Sequence, residues 1–320
     1  MVYFDQNTAV DELNNYLKKN LKFLNKNEFL IKTETAGEGN MNVVMRLRTN
    51  QRSFILKQSR PFVYKFPDLD APLNRINVEF NFYSQMGGNL LFPKILKYSP
   101  KIYLLLMEDL GACEDLTFIY EKGEISKNII KKLVEGLKHI HQRKISTGYP
   151  ENRGLRKLNH QHIFVLPFSG NPLDLDNIQK GLQELAKPFR ENKVLNKRVS
   201  DAGKVYLDKG CTLLHGDFYP GSWIYSDKRL HIIDPEFSFL GPCEFDLGVM
   251  AAHLIITTGQ ISLFEYVCKI YDSNIDIAKA KNFCGIEIIR RLIGLAQLPL
   301  KQNLDKKRDI LNLAKNLILS

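Results

Sequence analysis

Apolar positions recur in two rhythms along this chain, and the change between them falls near residue 110. From Thr8 to Phe23, Val10, Leu13, Tyr16, Leu17 and Leu21 share one stripe at helical spacing, which predicts an amphipathic helix. Short β-type runs follow at Phe29 to Thr33, Asn42 to Leu47 and Phe54 to Gln58, separated by Gly and Asn as in an antiparallel sheet. Leu73 to Met86 reads as a helix stopped by Gly87-Gly88. Two more strands are expected around Ile95 and over Ile102 to Met107. Beyond Glu108-Asp109-Leu110-Gly111 the patterns become long and helical: Lys127 to Gln142, Asp176 to Phe189, Glu244 to Thr258, Ile261 to Tyr271, Ile275 to Ala296 and Leu304 to Leu319. Tyr149 to Gly210, with four prolines, is the least periodic stretch. The expectation is an α+β chain of two lobes with a cleft between them: a small β-rich lobe over residues 1–110 and a larger, mostly helical lobe over 111–320.

The chemistry concentrates between Leu213 and Gly248. His215-Gly216-Asp217 forms one acidic turn, Asp234-Pro235-Glu236 a second after the apolar run His231-Ile232-Ile233, and Asp246 is a third acid. Two acidic turns, each at the end of a short apolar strand, suit transfer of a phosphoryl group from Mg·ATP. Asp217 would orient the attacking hydroxyl, while Asp234 and Glu236 would hold the metal. Carboxylates this close repel one another without a cation. Ser222, five residues past Asp217, offers the metal a neutral hard oxygen. In the expected small lobe, Gly37, Gly39 and Asn40 lie in a turn between strands where backbone N–H groups can cradle phosphates; a plain hairpin loop is the simpler alternative. Lys57, ending the strand FILKQ, is suited to grip phosphate, with Glu79 on the next helix as its partner. Met107, Glu108 and Leu110 form an exposed connector of the kind that reads the adenine edge.

Arg290 and Arg291 are adjacent on a helix, so their side chains leave about 100° apart. Long arms allow both to reach one ligand, such as a polyhydroxyl substrate or the transferring phosphoryl group; a surface ion pair is the alternative. The spacings of His139 with His141 and of His160 with His162 resemble metal sites. The first pair would face different sides of a helix, and the second falls on a strand or cleft loop suited to a substrate pocket. Trp223 is read as packing.

The formal charge of +10 and pI near 9.2 raise nucleic acid as a partner, but the basic residues are scattered and form no arm. A solvated lysine-rich surface with no specific nucleic-acid partner is the better account. Five cysteines without CxxC spacing argue against a disulfide framework or a zinc site and for a reducing, cytoplasmic setting. The N-terminus lacks the apolar core of a signal peptide, and no apolar run is long enough to span a membrane.

Taken in order, GEGNMN, FILKQ, MEDL, HGDFYPGS, IDPEFSFLGPCEFDLG and IIRRLIGLA resemble the 5-methylthioribose kinases, within the aminoglycoside phosphotransferase and choline kinase-like superfamily. The likeness runs from about Gly37 to Ala296 and is weak between about 111 and 210. It implies a two-lobed protein kinase-like fold, ATP and Mg²⁺ as cofactors, and phosphorylation of the anomeric hydroxyl of a furanose. It also implies Asp217 as the catalytic acid, Asp234 and Glu236 as metal ligands, and Arg290 with Arg291 as substrate-side cations. Members of that family are often homodimers. This chain departs from the family at Phe218-Tyr219-Pro220, where those kinases tend to read LHT, and this places Tyr219 beside the substrate. It also lacks the expected tryptophan between Tyr64 and Pro72. Other alcohol acceptors (an aminoglycoside, amino sugar or amino alcohol) therefore stay open, as does a pseudokinase that binds nucleotide without turnover.

Overall fold

The structure, a computed structural model, describes residues 1–37, 41–145, 148–169, 174–226, 229–272, 274–298 and 300–320. The chain divides into two compact units, Met1–Cys113 with Ser226–Phe237, and Glu114–Tyr225 with Ser238–Ser320. The segment carrying Asp234 and Glu236, expected in the C-terminal lobe, thus clusters with the N-terminal one.

In the first unit, helix α1 (Val10–Asn15) runs on through wider π-type turns to Asn20 and buries Leu13 and Leu17. It stops short of the expected Phe23, since Lys22 has turned to φ 49°. The sheet uses β1 (Leu30–Thr35), β2 (Val43–Thr49) and β3 (Ser53–Gln58), and a small hairpin follows of β4 (Phe62–Val63) and β5 (Phe66–Asp70). With β6 (Ile95–Ser99) and β7 (Leu104–Glu108) the five-stranded order is β1-β2-β3-β7-β6, antiparallel throughout. On β2 the period-two pattern buries Val43, Met45 and Leu47 with Phe54 and Leu56 of β3, and Leu104 and Leu106 of β7 together with Phe4, Leu13 and Leu17 from the N-terminal segment join the same core. Lys57 lies opposite Val44 and Leu105 in this sheet. Helix α2 (Arg75–Met86) ends at Gly87, whose φ of 61° suits glycine.

The second unit contains α3 (Lys127–His141), α4 (Arg153–His160), α5 (Leu182–Arg190) and α6 (Lys193–Leu207). The antiparallel pair β8 (Thr212–Leu214) and β9 (Phe239–Gly241) precedes α7 (Glu244–Thr258), α8 (Ser262–Tyr271), α9 (Ile277–Ile293) and α10 (Leu304–Leu319). Two expectations are corrected here. LNHQHIFVLPF is helical: α4 continues through a wider turn over Gln161–Val165. Asp176 does not begin α5, because it sits in a single tight turn, Leu175–Asn177, and Gly181 at φ 87° separates that turn from the helix. Among the described residues, no helix is long and apolar enough to cross a membrane.

Helix α9 is the axis of this unit, and small residues let its neighbours approach. A Cβ on Gly248 of α7 would lie 2.7 Å from the Cβ of Phe283 and 2.8 Å from the backbone N of Cys284. On the other side, a Cβ on Gly285 would lie 2.5 Å from the carbonyl of Ala314 on α10. Because backbone rather than a pliable side-chain tip stands in the way, Gly248→Ala is expected to lower stability by about 1–3 kcal/mol. Thermal denaturation monitored by circular dichroism checks this; an unchanged melting temperature would mean that α7 and α9 are not this close.

Candidate active site

The residues expected on the nucleotide side lie within the first unit. Lys57 Nζ is 2.8 Å from Glu79 Oε2 and 2.5 Å from Asp234 Oδ1. Burial opposes the charge on Lys57, but Asp234, Glu79 and Glu236 outweigh it and raise its pKa. Glu79 is fully buried, and burial pushes its carboxyl up to about 7 despite Lys57. Asp234 is the most open of the three acids, its side chain half exposed, and it holds φ at 61°, rare for a residue with a side chain. Glu236 accepts from Asn42 Nδ2 at 2.9 Å and lies 3.3 Å from Arg75 Nε; burial raises its pKa.

Three carboxylates thus face two cations, a surplus of negative charge that a bound divalent cation would balance. Among the described residues no set of three His, Cys, Asp or Glu side chains gathers as a metal cage. Two carboxylates completed by phosphate oxygens and water are what Mg²⁺ commonly uses, so the donor set fits that ion.

Gly37 takes φ 87°, as a tight glycine turn requires; Gly39 and Asn40 lie outside the described residues. Met107 and Glu108 end β7, and the Glu108 N–H donates to the carbonyl of Lys94. The Leu110 carbonyl accepts from Ser226 Oγ at 2.5 Å. Arg46 braces this connector through Asp109, 2.9 Å away, and the Gly111 carbonyl.

The residues expected on the acceptor side lie within the second unit. Gly216 at φ 86° folds the His215-Gly216-Asp217 turn, and the Asp246 carboxylate accepts from the N–H groups of His215 (2.7 Å) and Gly216 (3.0 Å). His141 holds Asp246 in turn, Nε2 to Oδ2 at 3.2 Å, and its Nδ1 meets the Tyr271 hydroxyl. His141 is therefore structural, as its spacing from His139 suggested. The His160 ring lies 5.3 Å from that of Phe164, and among the described residues it belongs to no cluster of three metal-ligating side chains.

Arg291 Nη2 reaches Asp217 Oδ1 at 3.5 Å. Although adjacent on α9, Arg290 and Arg291 converge on one carboxylate, because Glu287 lies three and four residues before them; the contacts are 2.8 and 2.6 Å. Burial disfavours the charge on Glu287, yet the two arginines and His253 hold its pKa well below the ordinary carboxylate value. His253 joins Glu287 (3.2 Å) to the Tyr120 hydroxyl (2.6 Å). Arg291 also lies over the Tyr219 ring, 4.9 Å from its centroid. That ring covers Gly221, where a Cβ would meet the Tyr219 hydroxyl at 2.4 Å.

Ser222 closes the same turn. Its buried hydroxyl faces the carbonyls of Asp217 (3.1 Å) and Tyr219 (2.8 Å) and accepts from the Tyr219 N–H (3.2 Å). Arg75, Asn42, Tyr120, His253 and Glu287 were missed from sequence, and Asp246 was seen only as an acid without a role.

The phosphotransferase enzyme family model, APH, matches residues 34–282. This chain belongs to that family. Methylthioribose kinase of Geobacillus sp. (strain WCH70) is 25% identical, with 88% of this chain and 84% of that protein aligned. Two solved structures share the fold. One is the choline kinase LicA of Streptococcus pneumoniae in complex with AMP, with a TM-score of 0.54, 16% identity, and 96% of this chain and 98% of that one covered. The other is spectinomycin phosphotransferase in complex with ADP and spectinomycin, with a TM-score of 0.51, 14% identity and coverage of 98% and 99%. The phosphotransferase described here thus has the expected kinase-like α+β fold, and its class is an ATP-dependent kinase of an alcohol acceptor.

His253 gives this kinase a distinct acid sensitivity. Burial, opposed by the Glu287 hydrogen bond, depresses its pKa from 6.5 to about 4. The unfolded chain takes up this proton below pH 6.5 and the folded chain only near 4. The contribution is therefore full above 6.5 and is lost progressively as the pH falls from 6.5 to about 4. Denaturant midpoints measured across that window should decline less steeply for His253→Gln than for the native protein. Equal slopes would show that His253 titrates normally.

Proposed function

We propose that this chain is an ATP- and Mg²⁺-dependent kinase that phosphorylates a sugar hydroxyl, with 5-methylthioribose or a related furanose as acceptor. The observation that carries the acceptor class is the buried Arg291 guanidinium 3.5 Å from Asp217, with Arg290 beside it. A fixed cation at the carboxylate that would receive the hydroxyl repels a quaternary ammonium or protonated amine, and its N–H groups suit hydroxyl oxygens. The methylthioribose kinase relatives support the same choice.

In this reading the acceptor hydroxyl hydrogen-bonds Asp217 and gives up its proton there as its oxygen bonds to the γ-phosphorus. The bond from that phosphorus to the β–γ bridging oxygen breaks, and ADP leaves. Asp246 keeps Asp217 placed by holding the turn before it, and Tyr219 with Arg291 lines the acceptor side. Lys57, anchored by Glu79, steadies the phosphates; Asp234 and Glu236 would hold Mg²⁺, which when bound neutralises charge on the triphosphate. Gly37, with Gly39 and Asn40, would contribute backbone donors. Adenine would be read at the connector by Met107, Glu108 and Leu110. The exposed thiols of Cys113 and Cys211 suit a reducing, cytoplasmic setting.

ATP consumption with Mg²⁺ across 5-methylthioribose, ribose, choline, homoserine and aminoglycosides tests the proposal. Methylthioribose is expected to turn over best. Asp217→Asn should lower kcat by about 10²–10⁴ while nucleotide still binds. A preference for choline or an aminoglycoside would overturn the acceptor assignment, and binding of ATP without turnover of any alcohol would point to a pseudokinase.

A further inference from the structure

We propose that Arg75 and Asn42 are positioning residues that set the Glu236 carboxylate for the metal–nucleotide complex; this rests on Glu236 being a metal ligand. Arg75 opens α2 and is fully buried, one turn ahead of Glu79. Its Nε donates to Asn42 Oδ1 at 2.9 Å and lies 3.3 Å from Glu236 Oε2. Its Nη1 donates to the carbonyls of Arg60 (2.8 Å) and Pro72 (2.9 Å), and its Nη2 to those of Met41 (2.7 Å) and Phe62 (3.4 Å).

Asn42 completes the arrangement. Its Oδ1 also accepts from Ser59 Oγ at 3.0 Å, which fixes the amide orientation, and its Nδ2 then points to Glu236 Oε2 at 2.9 Å. All four groups are buried.

A purely structural role would explain why Arg75 fastens four carbonyls on three segments. It would not explain why the Asn42 amide and the Arg75 Nε converge on the same oxygen of Glu236. The Asn42 amide donates to Oε2 while the Arg75 charge stands 3.3 Å from the same atom, and together they fix the rotation of that carboxylate and so the direction in which Oε1 faces. Arg75 ties this direction to the backbone at Met41, where the glycine turn re-enters β2. A lysine would supply the charge at a single point, without the planar fork that serves the carbonyls and the carboxylate together. The nucleotide turn and the metal carboxylate are thereby held to one frame. Groups that orient a metal ligand in this way typically change metal affinity by about 10–100-fold when removed.

Calorimetric titration with ATP, in Mg²⁺ and separately in EDTA, tests this on the native chain, Asn42→Ala and Arg75→Lys. Affinity for Mg·ATP should fall about tenfold in Asn42→Ala and further in Arg75→Lys, while metal-free ATP affinity stays within about twofold. The acceptor KM should not move. Equal losses with and without Mg²⁺, or no loss in Asn42→Ala, would overturn the proposal; if Arg75→Lys does not fold, Asn42→Ala decides. A native chain whose ATP affinity ignores Mg²⁺ would instead overturn the metal assignment itself, and this inference with it.

Discussion

A charge taken out of water has to meet an opposite charge or be neutralised, and both units of this kinase are organised around that requirement. In each, one helix supplies the pairing groups a single turn apart. Helix α2 carries Arg75 and Glu79 at i and i+4, the first meeting Glu236 and the second Lys57. Helix α9 carries Glu287 ahead of Arg290 and Arg291, so one carboxylate serves two cations. Removing one member of such a set strands its partner in a low-dielectric interior, which is costly even where the intact pair contributes little net stability. Each polar set therefore stands or falls as a whole, and in the second unit the apolar packing around α9 fixes its geometry.

Much of this was legible in the sequence, though unevenly. The His-Gly-Asp turn, the Asp-Pro-Glu turn and Lys57 with Glu79 could be named because their chemistry depends on residue type and local spacing. Arg75 and Asn42 were not, since their partner Glu236 lies 194 residues beyond Asn42. His253 and Asp246 did leave a signal: both interrupt the otherwise apolar, wholly buried face of Glu244–Thr258. A histidine and an aspartate in such a helix must find polar partners, but only tertiary structure says which. For Ser222 the sequence showed a hydroxyl near the His-Gly-Asp turn, but not that folding turns it back on its own backbone. Of the elements, α6 escaped notice because its apolar residues are interleaved with Lys, Arg and Asp, and the helical LNHQHIF stretch because β-branched and aromatic residues favour strand by propensity.

The two cationic systems also divide the chemistry. Lys57 and Arg75 belong with the carboxylates of Glu79, Asp234 and Glu236, the set proposed to meet the metal and the nucleotide. Arg290 and Arg291 belong with Glu287, Asp217 and two tyrosines, the set proposed to line the acceptor. The scattered basic surface responsible for the overall charge of +10 enters neither system.

The Tyr219 ring over Gly221 carries a consequence for descent. A first substitution at 221 would force the ring from its place, because even a methyl group there meets the phenol oxygen at 2.4 Å. A change at 219 meets no such barrier while the glycine remains. The phenol is the pliable end of a side chain, so the two positions are coupled: a larger residue at 221 redirects the Tyr219 ring, and a smaller residue at 219 frees position 221 to vary.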